Sequence, residues 1–125
     1  MSELAVALTG NPNTGKSTIF NALTGARQKI GNWPGVTVDK KIGHTHYKGR
    51  AISIVDLPGT YSINARSPEE QIVIDYLTST KLDLVLNVVD SSNIERNLFL
   101  TVQLLEKGIP LLIDLNMQDD AQRRG

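Results

Sequence analysis

The chain contains no cysteine, carries no net charge and has no apolar run longer than a β-strand. The lack of cysteine excludes disulfides and thiolate metal sites. With 13 basic and 13 acidic residues, no broad surface for nucleic acid or anionic lipid is expected. A membrane helix needs about 20 apolar residues, and a signal peptide needs a basic segment before a long apolar one. The sequence therefore predicts neither.

At 125 residues the chain has the length of a single domain. Apolar strand-like segments alternate with helical patterns, which predicts an α/β fold in three layers, with a mostly parallel sheet between helices. The expected strands are 4–9, 39–47, 51–56, 84–89 and 110–115, and the expected helices are 16–24, 67–78 and 94–105.

Four further expectations follow from the sequence. Residues 25–38, punctuated by glycine and proline, are expected to form a loop. The alternating segment 39–47 is expected to be one antiparallel edge strand. Pro68 after Ser67 predicts a helix start with a serine cap. The sequence stops soon after the 110–115 strand, where such a sheet ordinarily adds a helix and a strand, so we expect a domain truncated before these two elements.

Residues 10–17 read Gly-Asn-Pro-Asn-Thr-Gly-Lys-Ser, the pattern of a phosphate-binding loop between a strand and a helix. Backbone N–H groups of such a loop surround a phosphate, and the helix directs its positive end toward it. Lys16 would reach the outer phosphates, and Ser17 would bind magnesium. An ordinary glycine-rich turn is the alternative for this motif alone. The expected nucleotide contacts are Gly10, Asn11, Pro12, Asn13, Thr14, Gly15, Lys16, Ser17 and Thr18.

A second motif, Asp-Leu-Pro-Gly, ends the predicted strand 51–56. The Asp56 carboxylate would hold magnesium through water, and the Gly59 N–H would sense the terminal phosphate of a nucleotide. Taken alone, this motif is typical of a turn. Its position downstream of a phosphate loop favours a nucleotide site that includes Asp56, Leu57, Pro58 and Gly59.

Two further segments suggest a nucleotide switch that reads guanine. In Gly35-Val36-Thr37 the threonine hydroxyl would complete magnesium coordination when the terminal phosphate is present, although this triplet alone is more typical of an ordinary loop. Past the last strand, Asp119 would accept hydrogen bonds from guanine, which adenine cannot donate. Asn116 would brace the loops around it. A polar strand exit is the alternative.

Together and in this order, these motifs resemble the Ras-like GTPase superfamily, and within it the N-terminal G domain of the bacterial ferrous-iron transporter B (FeoB) family. The most discriminating stretch is Gly-Asn-Trp-Pro-Gly-Val-Thr at 31–37, because general GTPases do not carry it. The resembling stretches are 8–17, 31–38, 55–62, 87–90 with 95–98, and 115–117.

The resemblance implies a P-loop GTPase domain over residues 1–125 that binds GTP and GDP with magnesium. It also implies control of ferrous-iron uptake from the cytoplasmic side of the bacterial inner membrane. The membrane-spanning region and helical spacer of such a transporter are absent from this chain. Magnesium would be held by Ser17, Thr37 and Asp56, guanine would be bound by Asn116, Met117 and Asp119, and catalysis would depend on Asn13, Lys16, Thr37 and Gly59.

In the potassium-stimulated members of this family, the residue matching Asn13 helps to hold a potassium ion against the phosphates. The resemblance therefore implies a potassium site formed by Asn13 with backbone carbonyls near Gly31 and Trp33. Electrostatics also favours a cation at this position, because it would neutralise the charge that develops between the phosphates. The alternative for Trp33 is a loop aromatic that packs on the core.

Two departures from the family pattern affect the expected activity. Thr60 follows Gly59 where many GTPases have a glutamine that orients water, so hydrolysis should be slow. Met117 replaces the common lysine of the guanine motif, leaving apolar stacking on the base. Three alternatives stay open: a nucleotide-gated binding module with negligible hydrolysis, a GTPase of a ribosome or tRNA pathway, and a P-loop ATPase, against which Asp119 argues.

Overall fold

The computed structural model describes residues 3–116, which form a single six-stranded sheet with helices on both faces. The strands are β1 (Leu4–Gly10), β2 (Gln28–Asn32), β3 (Asp39–Tyr47), β4 (Arg50–Asp56), β5 (Leu84–Asp90) and β6 (Leu111–Asn116). The helices are α1 (Lys16–Thr24), α2 (Pro68–Ser79) and α3 (Ile94–Glu106), and a short 3₁₀ helix (Ser91–Asn93) precedes α3.

The strand order is β2-β3-β4-β1-β5-β6. The pairs β4–β1, β1–β5 and β5–β6 are parallel, whereas β3 runs antiparallel to both of its neighbours. The carboxyl ends of four strands therefore meet at one edge of the sheet. The register places Leu8 opposite Asp56 and Asp90 opposite Asn116, so the predicted motifs gather at that edge.

The structure corrects two expectations for the segment between α1 and β4. Residues 25–38 were expected to form only a loop, but Gln28–Asn32 form β2. As a result, β3 lies inside the sheet, and β2 takes the edge position expected for β3. Four of the five β2 residues are exposed, so the sequence of β2 does not alternate between apolar and polar residues. The strand forms because its backbone pairs with β3.

The two faces of the sheet carry separate cores, which confirms the three-layer arrangement. On one face, Phe20 of α1 packs with alternate strand residues Leu8, Ile54 and Val88. On the other face, α2 and α3 cover a larger cluster of ten buried residues. That cluster comprises Ala7, Trp33, Val55, Leu57, Ile63, Val73, Leu77, Val85, Leu100 and Leu104.

The start of α2 confirms the predicted cap. The Ser67 side chain accepts a 3.1 Å hydrogen bond from the Glu70 N–H, and Pro68 is the first helical residue. The Glu70 carboxylate accepts hydrogen bonds from the backbone N–H groups of Asn64 and Arg66, which ties the preceding loop to the helix. In the part of the chain described, no helix has the length and apolar character needed to cross a membrane.

Candidate nucleotide site

The loop 10–17 connects β1 to α1 and lines a cavity of about 500 Å³. Its shape depends on two residues with left-handed backbone, Asn13 at a φ of 64° and Gly15 at a φ of 85°. Asparagine and glycine are the residues that adopt this conformation most readily. Gly15 also caps α1, so the positive end of the helix faces the cavity. This geometry suits a phosphate group.

Lys16 and Asp56 form a buried ion pair beside the cavity. The ammonium contacts the Asp56 Oδ1 atom, and the two side chains are only 10% and 8% exposed. Burying either charge without its partner would cost free energy of folding, so the ammonium and the carboxylate stabilise each other in this site. The sequence predicted both residues for one site, and the parallel pairing of β1 with β4 brings them together.

The last residue of β4 and the segment that follows it, residues 56–62, are called the second switch. This segment lies directly against the phosphate loop. The Thr60 N–H donates to the Gly10 carbonyl over 3.0 Å. A Cβ atom on Gly59 would lie 3.0 Å from the Pro12 Cα, a contact tighter than side chains normally make. Glycine at position 59 therefore lets the two backbones approach, and Gly59 lines the same cavity.

The first switch, residues 31–38, is folded away from this cavity. Trp33 is 6% exposed and its ring meets the Tyr76 ring edge-on, with centroids 5.5 Å apart. The Lys40 ammonium lies 4.7 Å from the centre of the same ring. Thr37 is exposed, and the described residues lining the cavity come from the loop, Gly59 and α2 rather than from this segment. Trp33 thus packs on the core in this conformation.

Tyr76, the α2 partner of Trp33, is itself affected by its surroundings. Burial raises the pKa of the Tyr76 phenol above its ordinary value, because the ionised form loses hydration. The phenol therefore stays neutral at physiological pH.

Asn116 at the end of β6 donates a 2.6 Å hydrogen bond from Nδ2 to the Thr14 carbonyl of the phosphate loop. The bond joins the end of β6 to the phosphate loop, and a role of Asn116 in guanine binding stays a prediction. The predicted guanine contacts Met117 and Asp119 lie outside the described residues.

The residues present are suited to a magnesium–phosphate group. Ser17 is exposed at the first turn of α1 and lines the cavity. The Asp56 carboxylate contacts Lys16, which lines the same cavity. Hydroxyl and carboxylate oxygens are the ligands that Mg²⁺ prefers. The Thr14 Oγ1 atom is buried and has no hydrogen-bond partner among the described residues, although it borders the cavity.

Glu69 is a cavity residue that the sequence did not predict. It occupies the first turn of α2 and lines the cavity together with Gly59 and the phosphate loop. In the sequence, Glu69 belongs to the pattern Ser-Pro-Glu-Glu, which predicts the start of a helix but not a place at the cavity. Its proximity to the cavity depends on how α2 packs on the sheet, which no local pattern reveals.

A family model described as ferrous iron transport protein B matches residues 4–125. The chain belongs to this family. The Fe(2+) transporters FeoB of Shigella flexneri and of Salmonella typhi are each 52% identical to it over 128 residues. Each match covers 99% of this FeoB-family chain but only 17% of the relative, so the chain spans about one sixth of those transporters.

Solved structures of FeoB domains share the fold. The cytosolic domain of L. pneumophila FeoB is 50% identical, with a TM-score of 0.91, and the match covers 97% of this chain and 48% of that one. The apo cytosolic domain of T. maritima FeoB is 46% identical, with a TM-score of 0.93 and coverages of 99% and 49%. A mutant S. thermophilus NFeoB bound to mGDP is 51% identical, with a TM-score of 0.91 and coverages of 99% and 47%.

Proposed function

We propose that residues 1–125 form a G domain that binds GTP and GDP with Mg²⁺ and hydrolyses GTP slowly to GDP and phosphate. The proposal rests mainly on one arrangement: Lys16 and Gly59 both line the cavity of the phosphate loop, and Asp56 is paired with Lys16 beside it. The nucleotide-bound S. thermophilus relative supports it. The proposed contacts are residues 10–18, 35–37 and 56–59 with Asn116, Met117 and Asp119.

The Lys16–Asp56 pair suggests how binding begins. A nucleotide phosphate would draw the ammonium away from the carboxylate, because a phosphate carries more negative charge and accepts several hydrogen bonds. Asp56 would then be available, with Ser17 and Thr37, to hold Mg²⁺. The ion would neutralise charge on the phosphate oxygens when bound.

Hydrolysis would depend on positioning rather than on a strong base. Phosphoryl transfer passes through a loose transition state whose charge is spread over the transferring oxygens. Lys16, the loop N–H groups and the Gly59 N–H would stabilise that charge. Thr60 has no hydrogen-bond partner among the described residues for its hydroxyl, and it is only 4% exposed. Because its hydroxyl is buried, Thr60 is poorly placed to orient water, and we therefore expect slow turnover.

The buried Thr60 hydroxyl also favours a second candidate function, a nucleotide-gated binding module with negligible hydrolysis. Single-turnover hydrolysis with excess protein separates the two. Phosphate release faster than the nucleotide's hydrolysis in buffer supports the enzyme, and release at the buffer rate supports the module. A Lys16→Ala variant supplies the control, because it removes the cation proposed to act on the phosphates.

We also propose potassium stimulation through Asn13 and the backbone carbonyls of Gly31 and Trp33. Because Trp33 is packed on the core, the first switch would have to move before the Trp33 carbonyl could reach the potassium ion. Hydrolysis rates in potassium and sodium chloride at equal ionic strength test this. An Asn13→Ala variant should remove the difference between the salts, and a difference that survives would contradict the site.

In a full-length transporter, the nucleotide state of this domain would control Fe²⁺ uptake through the membrane-spanning region and helical spacer, from the cytoplasmic side of the membrane. The names and cytosolic-domain structures of the relatives support this assignment. Radioactive iron uptake by cells carrying the full-length protein tests it. Uptake should fall in the Lys16→Ala variant at equal protein level, and unchanged uptake would argue against nucleotide control.

A further inference from the structure

The phosphate loop also borders a second, smaller cavity, whose lining does not include Lys16. This cavity has a volume of about 180 Å³ and lies between the loop, the second switch and the start of α3. Its lining includes Asn11 from the loop, Tyr61 from the second switch and Arg96 from α3. Both Tyr61 and Arg96 lie in stretches that resemble the family, but neither side chain belongs to the proposed nucleotide contacts.

Arg96 contacts both of its neighbours at this junction. Its guanidinium carbon lies 4.0 Å from the centre of the Tyr61 ring, and its backbone carbonyl accepts a 3.3 Å hydrogen bond from the Asn11 amide. A guanidinium over an aromatic ring is attracted by the electron-rich face of the ring. One residue of α3 therefore joins the second switch to the phosphate loop.

The part of α3 that carries Arg96 is held firmly. The Asn97 side chain accepts a 3.1 Å hydrogen bond from the Asp90 N–H and donates a 2.7 Å bond to the Asn93 carbonyl. Asn97 itself is 4% exposed. Because these bonds fix the first turn of α3 to the end of β5, Arg96 projects from a rigid base.

Two hydrogen bonds anchor the backbone on either side of Tyr61, one at Thr60 within the second switch and one at Ile63 just after it. On the upstream side, the Thr60 N–H bonds to the loop carbonyl of Gly10. On the downstream side, the Ile63 N–H donates to the Gln103 side chain of α3 over 2.9 Å. Tyr61 lies between these anchors and is 40% exposed. A stack at such an exposed position is weak enough to break and re-form during a nucleotide cycle.

We propose that Arg96 is a positioning residue for the second switch. By stacking on Tyr61, it keeps the backbone that follows Gly59 against the phosphate loop and so favours binding of the terminal phosphate. GDP lacks that phosphate and gains nothing from the stack. The inference rests on the proposed nucleotide site and adds to it a residue that distinguishes the triphosphate from the diphosphate without touching either.

A double-mutant cycle with Arg96→Ala and Tyr61→Ala tests the proposal, with affinities for GDP and for a non-hydrolysable GTP analogue measured in Mg²⁺. Each single variant should weaken analogue binding by about two- to fivefold, the range expected of an exposed cation–aromatic contact. GDP binding should not change. The double variant should lose no more than either single variant, because both remove the same contact.

Three control variants define the contact. Tyr61→Phe keeps the ring and should bind the analogue like the wild type, whereas Arg96→Lys should give an intermediate loss. Arg50→Ala removes an exposed positive charge at the opposite end of β4 from Asp56, so it reports the effect of charge alone. Equal losses for GDP and the analogue, or additive losses in the cycle, would overturn the proposal.

Hydrogen exchange in the nucleotide-free chain separates this proposal from the nucleotide site itself. The Thr60 N–H should exchange about two to five times faster in Arg96→Ala if the stack holds the second switch. Unchanged exchange would overturn the positioning role even if both nucleotides bind. Faster exchange together with no nucleotide binding by the wild type would instead reject the proposed function and the triphosphate preference, while leaving the stack in place.

Discussion

Asn116 donates a 2.6 Å hydrogen bond to the Thr14 carbonyl and so joins residues 102 positions apart in the chain. The bond connects the end of β6 to the loop that lines the phosphate cavity. The segment expected to read guanine begins directly after this residue. The phosphate loop and the exit from β6 are therefore held together by a direct contact within the protein.

Replacing Asn116 by alanine should weaken both the fold and the nucleotide site. Loss of this partly buried bond should lower the free energy of unfolding by about 1 kcal/mol, measured by urea denaturation. GDP affinity should fall as well, because the loop loses its brace. Asp114→Ala changes a polar residue on the same face of β6 and serves as the control. Equal effects of the two variants would argue against a special role for the Asn116 bond.

Breaking the Lys16–Asp56 pair should be costly in the nucleotide-free chain. In Lys16→Met the Asp56 carboxylate stays buried without its partner, and the free energy of unfolding should fall by about 3 kcal/mol. The double variant Lys16→Met/Asp56→Leu should recover much of that loss, since it buries no unpaired charge. Urea denaturation of the three chains tests this. A double variant less stable than Lys16→Met would mean that the pair is not the source of the cost.

A methyl group at position 59 should force the second switch away from the phosphate loop. The new Cβ would lie 3.0 Å from the Pro12 Cα and 3.1 Å from its nitrogen, and neither backbone atom can yield as a side chain would. In Gly59→Ala, affinity for a non-hydrolysable GTP analogue should drop about tenfold, equivalent to about 1.4 kcal/mol. GDP affinity, measured on the same sample, should change much less. An equal drop for both nucleotides would indicate general misfolding of the site.

Trp33 is the only tryptophan and offers a direct probe of the first switch. Because the ring is buried against Tyr76, its emission in the free chain should be blue-shifted and poorly quenched by iodide. Adding a non-hydrolysable GTP analogue with Mg²⁺ should change the emission as Thr37 is drawn to the metal, whereas GDP should have less effect. Identical spectra with both nucleotides at saturation would contradict movement of Trp33 with the switch.

The sequence was most informative where a backbone conformation or a periodic pattern was at stake. The serine cap of α2 and the parallel core strands β1 and β5 each leave a local signature, and the structure confirms them. The phosphate loop also has a local signature, and its role in binding a nucleotide stays a prediction. The strand β2 leaves none, because its residues are mostly exposed and its stability comes from pairing with β3.

The neighbours of the candidate site were harder to predict than its motifs. Glu69 reaches the phosphate cavity, and Arg96 reaches Tyr61, only because α2 and α3 pack on the same face of the sheet. Such contacts depend on the packing of distant elements rather than on local spacing. The sequence offered packing on the core as an alternative for Trp33, but its contact with Tyr76 depends on the position of α2, which the motif does not reveal.

Binding of guanine nucleotides by this chain is tested most directly by a calorimetric titration with GDP in Mg²⁺, with ADP as the control. We expect saturable binding of GDP and none of ADP, because Asp119 would accept hydrogen bonds that only guanine donates. Equal binding of both nucleotides would contradict guanine recognition, and binding of neither would contradict a working nucleotide site in these 125 residues.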